Sequence, residues 1–210
     1  MDSVAICNLA LMMIGIPPIT SFREENNNAK LCKTFFPVLR DRVLRDHVWS
    51  FATAGYILQL LDEKSCDENF PCVCALPGDL IRVIEISGNR PYRRIGNKIL
   101  VKELPANLIY IRRVEDSSQF DESFIEALQY LLAAEIGMSN TRDAQLINMY
   151  RLEYEKRLAL ARAIDSQENR HSMQNRPKRS RWLESRISEM DIREGQINWV
   201  KGTAGKQEGY

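Results

Sequence analysis

Three cysteines in the middle of the chain come closest, by type and spacing, to a chemical site. Cys72 and Cys74 form a C-x-C pair, and Cys66 stands six residues before them. Zinc sites usually require C-x-x-C pairs, or cysteines and histidines at regular spacing. Because no second pair follows, the pattern favours separate thiols in loops or partly buried positions. We therefore expect no metal site and no other cofactor.

General acid–base chemistry has few candidates in this chain, which contains two histidines. His47 has the right side chain for a general base, but no serine or cysteine nucleophile motif accompanies it. Its position beside Trp49, at the end of a predicted helix, favours packing or capping. The acid pairs at 24–25 and 62–63 have polar neighbours, which favours solvated loops over catalysis. With no glycine-rich phosphate loop either, we expect that the protein is not an enzyme.

A basic run in the last part of the chain leaves several interpretations open. The candidate interface residues there are Arg176, Lys178, Arg179, Arg181, Trp182, Arg186 and Trp199. Arginine and lysine neutralise phosphates, and tryptophan stacks on bases, so nucleic-acid binding is one interpretation. Arginine and tryptophan also dominate strong protein contacts, so an arm that orders on docking is the second. A disordered tail is the third, because the segment is too polar to fold alone.

Length, charge and cysteine usage bound the class of protein. The chain has 210 residues, enough for one good-sized domain and an appendage, and its formal charge is +1. That balance provides no overall field for nucleic acid or a membrane surface. No apolar run approaches the roughly 20 residues that span a bilayer. Five cysteines without a regular framework, and no signal-peptide pattern, predict free thiols in a reducing cytoplasm.

Apolar periodicity predicts an α+β fold that is mainly helical, a helix bundle with a small sheet inserted. The expected helices cover 3–14, 28–48, 121–137 and 140–164. Pro37 predicts a kink in the second helix, or two helices meeting at Phe36. The β-branched run 80–86 and the Gly96-Asn97 turn predict an antiparallel β-meander of about four strands over 79–114.

The predicted organisation is a body, 1–164, followed by a C-terminal arm, 165–210, that orders on binding a partner. The second helix carries its apolar residues, including Val38, on one stripe, and its charged residues fall between them on the solvated side. On the last helix, mixed charges from Glu153 to Arg162 predict an ordinary solvated face. The residues expected to form the core of the body are Phe35, Leu39, Val43, Trp49, Phe51, Phe124, Leu128, Leu131 and Tyr150.

Three stretches together resemble the head-to-tail adaptor proteins of tailed bacteriophages, in particular the tail tubular protein A family of short-tailed phages. They are NLALMMIGIPPITSF at 8–22, AKLCKTFFPVLRDRVLRDHVWSFA at 29–52 and ALPGDLIRVIEI at 75–86. Their order also matches the family. One departure is Val48, where the family often has proline in its His-Pro-Trp box, and this relaxes the expected chain reversal after the long helix. The resemblance covers about residues 3–164 and leaves the arm unmatched.

The resemblance implies a structural virion protein without enzymatic activity. Such adaptors form a ring, usually of twelve copies, between the portal of the capsid and the tail nozzle or tube. The ring continues the channel through which DNA is ejected, without specific binding of that DNA. By analogy, the arm contacts the portal or neighbouring subunits, with its tryptophans in pockets and its cations on acidic groups. The expected location is the head–tail junction of the virion, after assembly in the host cytoplasm.

A second hypothesis belongs to another functional class. It is a small nucleic-acid-binding accessory protein whose basic C-terminal tail grips DNA. This hypothesis predicts steeply salt-dependent DNA binding by the isolated protein. The adaptor hypothesis predicts little affinity for DNA and strong affinity for portal rings instead. A third possibility, an enzyme with an unrecognised site, has almost no support among the residues.

Overall fold

The computed structural model describes residues 1–140 and 143–174. The chain divides into two compact units, Met1–Asp165 and Ser166–Tyr210. The described part of the chain is mixed α+β, with four helices and two small antiparallel sheets of three strands. The strands lie between the second and third helices in the sequence, so the predicted order of elements is present.

The first two helices are joined by a turn that one side chain holds in place. Helix α1 spans Ser3–Met13, and α2 spans Asn27–Asp46. Gly15 follows α1 with a φ of 71°, a left-handed conformation that suits glycine. The Asn8 side chain donates to the carbonyl of Ile19 and accepts from its N–H, both at 2.8 Å. These two bonds fix where the chain re-enters the helical core.

Helix α2 differs from its prediction in its cap and its continuity. Asn26, rather than Asn28, caps it by accepting from the N–H of Ala29 at 2.7 Å. Pro37 lies inside a single helix that runs through the predicted break at Phe36. Val38, predicted on the apolar stripe, is 63% exposed. At 100° per residue, Val38 lies 100° from the buried Leu39, so it turns away from the core.

The strands form two sheets rather than one meander, so the predicted meander over 79–114 is wrong. One sheet has the order β1-β6-β3 and the other β2-β5-β4. Their bounds are β1 Thr53–Ile57, β2 Cys72–Ala75, β3 Leu80–Ile86, β4 Tyr92–Ile95, β5 Lys98–Val101 and β6 Asn107–Arg112. The predicted β4–β5 hairpin is present, but β3 pairs with β6, and β5 pairs with β2.

The reason for this topology is a second hydrophobic core. Ile86, Ile99, Val101 and Leu108, from both sheets, are at most 2% exposed and belong to one buried cluster. A single four-stranded sheet would leave one of its faces open, whereas stacked sheets bury a face of each. The N–H of Ser87 donates to the carbonyl of Asn107 at 2.8 Å, which extends the β3–β6 pairing by one bond. After this bond the chain crosses to the other sheet, where it forms β4.

The last two helices are longer than predicted at their C-terminal ends. Helix α3 spans Glu122–Asn140 and passes through Gly137, the predicted end, which is buried. Helix α4 spans Ala144–Gln174 rather than 140–164. Asp143 caps α4 by accepting from the N–H groups of two residues in its first turn, at 2.9 and 3.2 Å.

The main core lies among the helices and against one face of the β1-β6-β3 sheet, through Ile81 and Ile111. Of the nine residues expected to form the core, Phe35 and Phe51 are half-buried at its edge. The seven that lie buried are Leu39, Val43, Trp49, Phe124, Leu128, Leu131 and Tyr150.

Candidate interaction surfaces

Trp49 and the aromatic residues around it form a packing centre of the helical core. Trp49 is 1% exposed, and its Nε1 donates to the carbonyl of Val43 at 2.8 Å. His47 lies edge-on to this ring, with 4.9 Å between the ring centroids, and Phe124 lies edge-on at 5.2 Å. His47 is the residue at which α2 ends, and its ring packs against Trp49 at the edge of the core.

The cysteines are free thiols in different places. Cys66 is exposed and Cys74 is buried between the sheets, so the C-x-C pair and its predecessor do not converge. Cys7 and Cys32 are buried where α1 and α2 meet, and their hydrogen bond, with burial, raises the pKa of the Cys7 thiol. Among the described residues, no group of three or more His, Cys, Asp or Glu side chains is arranged to hold a metal ion.

An open cleft of about 430 Å³ lies where β6 leaves its sheet. Several of its polar side chains make hydrogen bonds within the fold. Arg112 donates to Gln119 at 2.8 Å, and Asp79 accepts from the hydroxyl of Tyr110 at 3.1 Å. Burial is the main cause that raises the pKa of Tyr110 to about 12, and the hydrogen bond to Asp79 is the second. Hydrogen bonds from Ser118 hold the pKa of Asp116 below its usual range. The carboxylates of Asp79 and Asp116 thus serve as hydrogen-bond acceptors within the fold.

Helix α4 is fastened to the body by its inner face. The hydroxyl of Tyr150 donates to the carbonyl of Met13, and the hydroxyl of Tyr154 donates to Asp46 at 2.6 Å. Burial, together with the bond to Asp46, raises the pKa of Tyr154. Arg157 pairs with Glu126 of α3 at 3.2 Å. These contacts fix which side of α4 faces outward.

The outward side of α4 carries a row of aliphatic side chains, which we call the α4 stripe. Its members and their exposed fractions are Met149 (47%), Leu152 (63%), Leu160 (52%) and Ile164 (40%). Successive members are three, eight and four residues apart, so they share one side of the helix. The predicted solvated face of α4 is therefore partly apolar, which is typical of a surface that another polypeptide covers.

Helix α2 shows the opposite character, because folding withdraws both of its acids from the solvent. Asp41 accepts from Arg40 at 2.8 Å and from Arg113 at 2.8 Å. Asp46 accepts from Tyr154. Both acids are half-buried, and Arg40 is buried. The charges that remain exposed on α2 are all positive.

We call these cations the basic face of α2. They are Lys30, Lys33, Arg42 and Arg45. Within the described ranges, none of them has a carboxylate within 4.0 Å. The other exposed residues of the helix are Asn27, Thr34, Pro37 and Val38, which carry no charge. Arg42 also borders a groove that Glu135, Arg151 and Glu155 line.

Comparison of the chain with known proteins does not assign it to a family. No protein-family model matches the chain, and a search of curated proteins finds no match. Over residues 1–140 and 143–174, no helix is long and apolar enough to cross a membrane. The candidate interface residues of the arm, Arg176, Lys178, Arg179, Arg181, Trp182, Arg186 and Trp199, lie outside the described residues.

Both surfaces found in the structure were missed by the sequence interpretation. A signal for the α4 stripe is present in the sequence. Tyr150, Tyr154 and Leu158 repeat at helical spacing, and Met149, Leu152 and Leu160 form a second apolar set on the other side. A helix that is apolar on two sides requires two partners. The basic face of α2 has no such signal, because Asp41 and Asp46 are exposed or engaged according to residues distant in the sequence.

Proposed function

We propose that this chain is a head-to-tail adaptor of a tailed bacteriophage, a structural protein that joins polypeptides and catalyses no reaction. In this proposal, copies associate heterologously and close into a ring, with twelve as the expected number. The ring lies between the portal and the tail nozzle or tube, and it continues the DNA channel. Assembly takes place in the host cytoplasm, and the finished location is the head–tail junction of the virion.

The structural observation that carries the proposal is the α4 stripe. Leu152 and Leu160 are 63% and 52% exposed, so covering each would contribute about 1–2 kcal/mol. The chain continues from α4 into the proposed arm, so we assign the stripe and the arm to the same partner, the portal. Four aliphatic side chains are fewer than the roughly 20 residues per side in a stable interface, so the arm has to contribute as well.

The resemblance to the adaptor family supports the proposal through the residues that hold the helical layer together. The matching stretches contain the Asn8 bonds to Ile19 and the buried Trp49, two features that fix the helical layer. Repetition around a ring would make modest contacts durable, because each bound arm raises the effective concentration of the next. The proposed arrangement is thus a rigid body, one apolar stripe and a partner-binding extension.

The test mixes the full chain with portal rings encoded in the same genome and measures cosedimentation and electron micrographs. The full chain is expected to add a ring-shaped collar to the portal. A double variant, L152E and L160E, should weaken binding by tenfold or more, because it places charge in the contact. The matched control is L60E, at a residue that is 60% exposed away from α4.

A second variant, ending at Gln174, examines the arm. Circular dichroism should show an intact body, and portal binding should be lost. Unimpaired portal binding by this variant would exclude the arm as the joint. Unimpaired binding by the L152E/L160E variant would exclude the stripe. If the full chain ignores portal rings and is retained on DNA through its tail, the accessory-protein hypothesis replaces the adaptor.

A further inference from the structure

The basic face of α2 is a charged surface that the contacts of the body leave without an opposite charge. The sequence of α2 contains two acids, but Arg40, Arg113 and Tyr154 engage them. The four exposed cations consequently have no carboxylate within 4.0 Å in the described part of the chain. Since like charges on one helix repel each other, such a face is favourable mainly when an anionic partner approaches it.

The arrangement of the cations suits an extended partner. Lys30 and Arg45 are fifteen residues apart, which corresponds to about 22 Å along a helix. At 100° per residue, the four cations lie within about half of the helix circumference. They therefore form one elongated patch rather than a pocket for a small anion.

We propose that the basic face of α2 binds the phosphate backbone of double-stranded DNA without reading its sequence. Lysine and arginine at an exposed surface neutralise phosphates and release counterions, and this requires no desolvated pocket. An acidic protein partner is less favoured, because the exposed residues of α2 include no aromatic side chain that could anchor a protein contact.

This surface differs from the basic tail at 176–186, and it lies in the folded body. The proposed adaptor has the separate role of continuing the DNA channel between portal and tail. DNA binding by the face does not require that role, so the two ideas fail separately. Portal binding tests the adaptor, and salt-dependent DNA binding tests the face.

The experiment measures binding of the full chain to a labelled duplex of roughly 30 base pairs, by fluorescence anisotropy at several salt concentrations. Four phosphate contacts predict a slope of log K against log salt of about −3.6. The test variant carries K30Q, K33Q, R42Q and R45Q, which remove four charges and keep good helix formers. The control variant removes four charges from the tail, through R176Q, K178Q, R179Q and R181Q.

The expected result is that the α2 variant loses at least tenfold in affinity at low salt, with a slope shallower by about 3.6. The tail variant should still bind the duplex, with the part of the salt dependence that comes from the four cations of α2. Unfolding temperatures of all three proteins confirm that the variants are folded. The proposal is overturned if the full chain does not bind the duplex at low salt, or if the tail variant alone loses binding. It is also overturned if the α2 variant loses portal binding or self-association while its DNA affinity is unchanged.

Discussion

The turn between α1 and α2 depends on Asn8, and two substitutions there test how the turn is held. The Asn8 side chain makes two 2.8 Å hydrogen bonds to the backbone of Ile19, which is 3% exposed. Alanine at position 8 removes both bonds, each worth about 1 kcal/mol. We expect N8A to lower the free energy of unfolding by about 2 kcal/mol. For a unit of this size, the melting temperature should fall by roughly 4–8 °C.

Aspartate at the same position separates the donor from the acceptor. Ionised, it still accepts from the N–H of Ile19 but places a negative charge against the carbonyl of that residue. Protonated, it can make both bonds. The folded state should therefore raise the pKa of the new carboxyl above the unfolded value of about 3.9. A raised pKa gives stability that is complete below the unfolded pKa and is lost as pH rises through the folded pKa.

The assay is calorimetric unfolding of wild type, N8A and N8D at about pH 7 and about pH 4. Relative to wild type, N8D should lose about 2–3 kcal/mol at the higher pH and about 1 kcal/mol at the lower. N8A is the control. Alanine has no titrating side chain, so its loss in free energy of unfolding should be the same at both pH values. An N8D deficit that stays constant with pH, or grows as pH falls, would refute the two-bond account of the turn.

Three further predictions concern the core, a buried tyrosine and a glycine. W49F removes the hydrogen bond to Val43 and leaves a cavity, so urea unfolding should show a loss of about 2–3 kcal/mol; an unchanged midpoint would contradict this. The raised pKa of Tyr110, about 12, gives stability that is present below about pH 10 and is lost as pH rises through the folded value. Y110F should therefore remove on the order of 2 kcal/mol of the alkaline loss, measured by urea unfolding between pH 9 and 11.5; an identical decline in both proteins would show that Tyr110 is not its source. G15A should cost about 1 kcal/mol by thermal unfolding because φ is 71°, whereas G78A, with equal space and no positive φ, should cost nothing.

The coarse architecture was predictable because it rests on local periodicity. The four helices, their order and the inserted strands follow from apolar spacing and turn residues in short windows. The four-stranded meander was wrong because strand pairing is decided by which faces become buried. The Ser87-Gly88-Asn89 turn has the composition of a hairpin, yet β3 and β4 belong to different sheets. No local signal distinguishes a hairpin turn from a crossing between stacked sheets.

The candidate surfaces divide in the same way. Helical spacing alone gives the second apolar side of α4, although the charges around it drew attention to a solvated face. The basic face of α2 required the structure, since Asp41 is engaged by Arg113, seventy-two residues away in sequence. Asp46 is engaged by Tyr154, one hundred and eight residues away.

The amino-acid sequence by itself determined the order of the helices and strands and most of the buried core, because each depends on neighbours within a few turns. Only the tertiary structure decided which charges remain in water. Arg113 and Tyr154 reach α2 from distant parts of the chain and withdraw its two carboxylates. A helix whose sequence has both signs of charge thereby presents a surface of one sign, because hydrogen bonds formed on folding compensate the carboxylates and leave the cations exposed.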